Sequence, residues 1–394
     1  MRRELLLITL LLTIVHPDFA RAQSFSTTSI QKSSRIDLKG LTKKANSGDT
    51  VAQFKLGYAY QFGQGVDKDV SEAIRWYRRA ANYGDSSAQA NLAYLYEKGP
   101  EAVKDLGEAV KWYTRAAVSG SPEAALNLGL LYLRGQGVAK SSADAQHWIR
   151  RAADAKCPEG MAALAYLYAT GLGVPQDPQQ ALKLARKAAK KNNPQAQASL
   201  GILYAKGQGV PADATEAVRW LRKSAEAGNP VGQFALGFMH EKGRGVKEDF
   251  QEALRQYRLA GENGFTQAQA ALGQIYELGE GVNVDYEKAA NWYRRAIDQG
   301  DTLSATRLGA LLFEGKGLGR DLEEAVKLWT WAADRGDAYA QFNLAQLYVT
   351  GTGVNRDLVK AHSLFTSAGK TLDVSKQLSK LSSEMSQDEL AKVQ

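Results

Sequence analysis

Cysteine is almost absent from this chain of 394 residues, with one at position 157. A single thiol excludes an internal disulfide framework. Histidine is scarce as well: there are four, and those beyond the leader, His147, His240 and His362, lie far apart. No His-Glu-x-x-His motif or carboxylate–histidine cluster occurs, so the sequence predicts no metal site, no cofactor and no nucleophilic triad. Ser29-x-x-Lys32 and Ser367-x-x-Lys370 lack the S-D-N and K-T-G elements that serine β-lactamase chemistry requires. Gly369-Lys370-Thr371 ends like a P-loop, but Leu364 stands where that loop needs glycine. Charge of either sign is not dominant: 50 basic against 42 acidic residues leave +8, compatible with an anionic partner without demanding one.

What the chain has is periodicity. Leucine recurs at 56, 92, 128, 164, 200, 236, 272, 308 and 344, a step of 36 residues without insertion or deletion. Self-similarity at a fixed period in this range signals a solenoid, in which each unit packs on its neighbours. Glycine follows each leucine at 63, 99, 135, 171, 207, 243, 279, 315 and 351, and returns two residues later in every repeat but the second, which has Glu101. Gly-x-Gly after a helical run reads as a helix end and a turn with left-handed backbone. It follows a helix rather than a strand, so it is not a phosphate cradle.

Asp69, Asp105, Asp177, Asp213, Asp249, Asp285, Asp321 and Asp357, with Ser141, stand where a second helix should start. Glu72, Glu108, Glu216, Glu252 and Glu324 three residues on predict capping boxes. Asp49, Asp85, Ser121, Asn193, Asn229, Asp301 and Asp337 predict the caps of the first helix, with Pro122, Pro194 and Pro230 in its opening position. Each repeat is therefore expected to be helix A, a glycine turn, helix B and a tight return. Alanine holds one helix-B site in all nine copies, from Ala73 to Ala361, and helix A carries a small residue at 57, 93, 129 and 201. Tyrosines from Tyr60 to Tyr348 and tryptophans at 76, 112, 148, 220 and 292 fill the remaining space.

This pattern, small-x3-Leu-Gly-x-x-Tyr-x-x-Gly-x-Gly-Val-x-x-Asp-x3-Ala-x-x-Trp-Tyr over roughly residues 48–372, resembles the Sel1-like repeat family, relatives of the tetratricopeptide repeat. Departures are local: the turn at Gly99-Pro100-Glu101-Ala102, Leu184 and Gln256 for tryptophan, His240 for tyrosine, and Trp329 with Trp331 in repeat eight. The resemblance implies an all-α, right-handed α-solenoid of nine 36-residue helix-turn-helix repeats with terminal capping helices. A cysteine-rich secreted subgroup of that family has reported penicillin-binding or β-lactamase activity, but its paired cysteines are missing here. Exported members act as adaptors in envelope assembly and host contact.

Along the chain, residues 1–22 read as a signal peptide, with Arg2 and Arg3, an apolar core from Leu5 to Val15 too short to span a bilayer, and Ala20-Arg21-Ala22 at the cleavage site. Residues 23–36 are expected to be a disordered lead-in. The solenoid takes 37–372, opening on a helix-B-like cap (Leu38, Leu41, Ala45), with repeats from about 49. Residues 373–394 are expected to form a capping helix with Val374, Leu378, Leu381 and Met385 on one face.

Two helix-A columns vary while the packing positions do not. One runs Tyr58, Tyr94, Leu130, Tyr166, Ile202, Phe238, Gln274, Ala310, Gln346; the other includes Lys55, Asn91, Asn127, Arg307 and Asn343. In this family helix A lines the concave side, so Lys55, Tyr58, Asn91, Tyr94, Asn127, Tyr166, Phe238, Arg307 and Asn343 become candidates for binding a protein or peptide partner. At helical spacing the same aromatics also suit seams between helices. A basic stripe on helix B (Arg75, Arg78, Arg79, Arg115, Arg150, Arg151, Arg186, Lys187, Arg222, Lys223, Arg294, Arg295) suits either a solvated face or an anionic glycan such as peptidoglycan. The sequence thus predicts a non-catalytic exported scaffold, periplasmic or secreted, without a transmembrane segment or a nucleic-acid partner. The alternatives are a cell-wall or polysaccharide-associated factor and a β-lactamase-like hydrolase. Cys157, at a helix start, could be a reactive thiol or a neutral cap substitution.

Overall fold

The computed structural model describes residues 37–393; the expected leader and lead-in lie outside the described residues. Among the described residues there are 21 α-helices, one 3-10 turn and no strand. By compactness the chain divides at 235/236, within the helix Pro230–Glu241. The first unit starts with the helix Leu38–Asn46, followed by A/B pairs: Thr50–Phe62 with Val70–Asn82, Ser86–Lys98 with Leu106–Val118, Pro122–Arg134 with Ser142–Asp154, Pro158–Thr170 with Pro178–Ala189, and Pro194–Lys206 with Ala214–Glu226. The second holds the helix Phe250–Glu262 and three further pairs: Thr266–Leu278 with Tyr286–Asp298, Thr302–Glu314 with Leu322–Ala333, and Ala338–Thr350 with Leu358–Ala368. It ends with Ser375–Glu384 and Gln387–Ala391. Within each unit a helix packs on its own partner and on the next helix in sequence.

The helix boundaries follow the caps. Every B-helix cap side chain, from Asp69 to Asp357, accepts a backbone N–H of the first turn. The predicted capping boxes do not form in these helices. The cap's own N–H donates instead to a carbonyl of helix A, as Asp69 N does to Tyr60 O at 2.9 Å and Asp105 N to Tyr96 O at 2.9 Å. With that donor satisfied, the glutamate turns outward: Glu72 pairs with Arg75, Glu108 with Lys111, Glu216 with Arg219 and Glu252 with Arg255. The indoles of Trp112 and Trp220 donate to Glu108 and Glu216, and Gln256, which replaces tryptophan, makes the same bond to Glu252.

The invariant small residues permit close approach. A Cβ on Gly57 or Gly237 would fall within 3.0 Å of the Tyr77 or Tyr257 ring. The fixed alanines are buried throughout. At the first end, Ala45 packs with Ala52, Leu56 and Trp76. At the other, Val374, Leu381 and Met385 are buried against Phe365, with Leu378 at the margin. That segment is two helices rather than one: the chain turns extended at Met385, and Ser386 opens the second with a capping box to Glu389.

Candidate functional site

The two kinds of helix are buried differently. Helix B is one-sided: Val70–Asn82 buries Ala73, Trp76, Tyr77, Ala80 and Ala81 and exposes the rest to varying degrees. Helix A is covered nearly all round in the middle repeats, as in Pro158–Thr170, where every residue from Gly160 to Leu167 is buried, whereas Ala338–Thr350 in the second unit buries only Ala338, Ala340, Leu344, Ala345 and Leu347. This closes most of the predicted lining. Tyr58, Tyr166 and Phe238 are 4%, 5% and 2% exposed. Burial pushes the Tyr166 phenol up to about 12, since the phenolate would lose its hydration. Tyr58 packs on the Phe62 ring at 4.5 Å. Asn91 and Asn127 are 1% and 3% exposed, so these amides are interior. Of the candidate residues, Lys55 is open, and Tyr94, Arg307 and Asn343 are half-buried.

The interior placement has a polar reason. Tyr113 lies at the helix-B position sixteen residues after Glu97, and its hydroxyl donates to the Glu97 carboxylate at 3.0 Å. The Asn127 amide of the following repeat donates to the same hydroxyl at 3.2 Å. Tyr77 bonds Gln61 at 2.7 Å, Tyr257 bonds Glu241 at 2.7 Å, and Tyr293 bonds Glu277. Arg307, from the next repeat, pairs with Glu277 at 3.1 Å. Asn127 and Arg307 therefore tie one repeat to the next instead of forming a clamp for a peptide. Desolvation raises the Tyr77, Tyr113 and Tyr293 phenols well above their ordinary value, with the neighbouring carboxylates adding to it at Tyr113 and Tyr293. Where the helix-B residue is Ile149, Ala185, Leu221, Trp329 or Phe365, the residue sixteen earlier is Leu133, Ala169, Ala205, Phe313 or Val349. Polar meets polar and apolar meets apolar in all nine repeats. That pairing was legible in the sequence and could have identified these interior residues.

The basic stripe is also partly committed. Arg78, Arg150, Arg186 and Arg258 each donate to a tyrosine hydroxyl of the following repeat: Tyr96, Tyr168 and Tyr204 in the first unit, Tyr276 in the second. Arg79, Arg115 and Arg295 lie 4.7 Å over Trp76, Trp112 and Trp292, and Lys223 lies 4.6 Å over Trp220. These contacts hold cations against rings. Cys157 is buried, its Sγ 3.3 Å from Glu159 Oε2. Burial, more than the helix start, sets its acidity and pushes the thiol up to about 12, so it stays protonated and unreactive at neutral pH.

Among the described residues no group of three His, Cys, Asp or Glu is placed to hold a metal, and no helix is long and apolar enough to cross a membrane. On this helix-A face side chains reach solvent in the first two repeats, and again in the second unit, where Leu278 is 55% exposed. Lys55, Phe62, Tyr94 and Lys98 belong to one helix-A face; Phe62 is 45% exposed and Lys98 is open.

Stacked helix pairs repeating every 36 residues define an α-solenoid of the helical-hairpin kind. The Sel1 repeat profile matches nine consecutive segments, 50–85, 86–121, 122–157, 158–193, 194–229, 230–265, 266–301, 302–337 and 338–370, and the chain belongs to the Sel1 repeat family. It is similar in structure to a protective antigen of uropathogenic Escherichia coli with an SLR fold, at 29% identity and TM-score 0.50 over 91% of this chain and 93% of that one. A Sel1 repeat protein from Oxalobacter formigenes matches at 32% identity and TM-score 0.55, over 64% of this chain and all of that one. Among curated proteins, the secretory immunoglobulin A-binding protein EsiB of Escherichia coli O6:H1 (strain CFT073) is 39% identical over 56 residues, 14% of this chain but only 11% of that protein. Sel1 repeat proteins generally mediate protein–protein interaction.

Proposed function

We propose that this chain is an exported scaffold that binds a protein partner, with no catalysis of its own, acting in the periplasm or outside the cell. The observation that carries the reading is the contrast within helix A. The array seals this face in its middle repeats but leaves Phe62, Lys55, Tyr94 and Lys98 accessible at the first two. An aromatic anchor flanked by cations suits a partner surface with apolar and acidic groups. Tyr94 thus stays in the proposed site, joined by Phe62 and Lys98, with the buried Tyr58 and Asn91 on the same two helices; the buried Asn127, Tyr166 and Phe238 belong to other repeats and leave the site. Arg307, committed to Glu277, and the half-buried Asn343 lie in the second unit and are not part of the proposed site. Affinity capture from an envelope extract tests this, with Lys55→Glu/Phe62→Ala/Tyr94→Ala as control and secretory immunoglobulin A as a defined probe suggested by the EsiB match. Loss of the captured protein from the variant, at unchanged melting temperature, is the expected result; the same protein retained by the variant refutes the edge.

The second reading, association with peptidoglycan or another anionic glycan, rests on the cations of helix B. Many of these already contact tyrosine or tryptophan, which makes it the weaker reading. Salt-sensitive pelleting with purified sacculi would support it.

A further inference from the structure

The turn of repeat two breaks the glycine rule, and a cleft lies beside it. In repeats three, four and five the second turn glycine rests on the start of the preceding B helix: a Cβ on Gly137, Gly173 or Gly209 would lie 2.3 Å from Leu106 O, 2.5 Å from Ser142 O or 2.4 Å from Pro178 O. No side chain fits there. Repeat two has Glu101 at that position, so its turn cannot sit down in the same way. It runs extended at Gly99 and winds a 3-10 turn over Glu101–Val103. The result is a cleft of about 420 Å³ lined by Ser71, Ile74 and Arg78 of helix B in repeat one, by Tyr96, and by Ala102 to Asp105 with Glu108 of repeat two.

The charges lining the cleft are not equally available. Asp105 accepts the Glu108 N–H at 3.0 Å as a helix cap. Glu108 accepts from Lys111 at 2.7 Å and from Trp112 at 2.9 Å. Lys104 pairs with Glu101 at 3.2 Å. Arg78 gives one N–H to the Tyr96 hydroxyl, lies 5.9 Å over the Tyr96 ring, and has no carboxylate partner among the described residues. Its guanidinium carries five donors, so most remain to be used. Beside it are the Ser71 hydroxyl and an apolar surface from Ile74, Ala102 and Val103.

We infer that this cleft binds a carboxylate carried on a short aliphatic group and presented by a polypeptide. Arg78 and Ser71 take the carboxylate, and Ile74, Ala102 and Val103 take the aliphatic part. This rests on the scaffold reading above, because it supplies one feature of the partner: either a chain end with an aliphatic last residue or a glutamate side chain.

Fluorescence polarisation with the full chain and three labelled hexapeptides decides it: one ending in leucine as the free acid, the same peptide amidated, and an amidated peptide with one internal glutamate. The cleft predicts binding of the first or third and at least about tenfold weaker binding of the amidated leucine peptide, since charge-assisted bonds to a guanidinium are lost. Ile74→Trp and, from the opposite wall, Val103→Trp fill the space and should each weaken binding by about tenfold with an unchanged circular-dichroism melt. If one variant melts early, the other decides. Binding of the amidated leucine peptide as tight as that of the better of the other two, no binding of any peptide up to about 1 mM, or unaltered binding by a folded variant overturns the inference. Peptide failure alongside partner capture through Lys55 and Tyr94 sinks the cleft alone; peptide binding without partner capture sinks the edge alone.

Discussion

Tyr113 shows how one residue can decide whether a repeat face is interior. Its hydroxyl joins Glu97 of its own repeat and Asn127 of the next. Removing one partner of a buried hydrogen bond leaves the others desolvated, whereas exchanging the whole set for apolar groups can be nearly neutral. Tyr113→Phe should therefore destabilise the fold by about 1–3 kcal/mol. The triple variant Glu97→Leu/Tyr113→Ile/Asn127→Ala, which copies Leu133, Ile149 and Ala163 of the following repeats, should recover most of that loss. Denaturant midpoints measure both, and a neutral Tyr113→Phe would contradict the assignment. Cys157 gives the pH-dependent case. Its thiol is raised from 9.0 to about 12 by burial, so the folded state favours the neutral form. That contribution is complete below pH 9 and is lost as pH rises through about 12. Alkylation by iodoacetamide should stay slow on the native chain at pH 9 and become fast once guanidinium unfolds it; equal rates would show an accessible thiolate.

Among the elements, the caps and glycines were legible because each is a local demand. Asp69 or Asp105 satisfies a helix start whatever surrounds it, and Gly137 is required by a backbone oxygen 2.3 Å from where its Cβ would be. The capping boxes failed because a tertiary carbonyl, such as Tyr60 O, reached the cap N–H first. The variable columns stayed open between groove and seam for a related reason. Spacing says which residues share a helix face, not what a neighbouring helix lays over it. A usable signal was present: helix A of repeat four, Pro158–Thr170, has only one charged residue, Glu159, and a helix apolar all round is buried all round. The terminal helices allow an element-level test. Leu381 is 2% exposed in the cluster with Phe365 and Val374. Leu381→Ala should cost about 2–5 kcal/mol locally. It should raise amide exchange in Leu358–Ala368 before it affects the first unit, and uniform loss across the chain would contradict that.

For the molecule as a whole, membership of the Sel1 repeat family and stacking of helix pairs agree with the period of 36 residues read from the leucines. Variation along the array separates into two kinds. Glu97, Tyr113, Asn127 and Arg307 vary to match a neighbour inside the stack. Lys55, Phe62 and Lys98 vary at positions open to solvent, and those carry the proposed contact. The most direct test of this division is hydroxyl-radical footprinting of the full, unmodified chain. Phe62, at 45% exposure, and Tyr83, at 76%, should be oxidised rapidly, while Tyr58, Tyr113, Tyr166 and Phe238 stay protected until the protein unfolds. If Tyr58 and Tyr166 were oxidised as fast as Tyr83 in the native state, helix A would be an open lining after all, and the separation of interior from surface variation would be wrong.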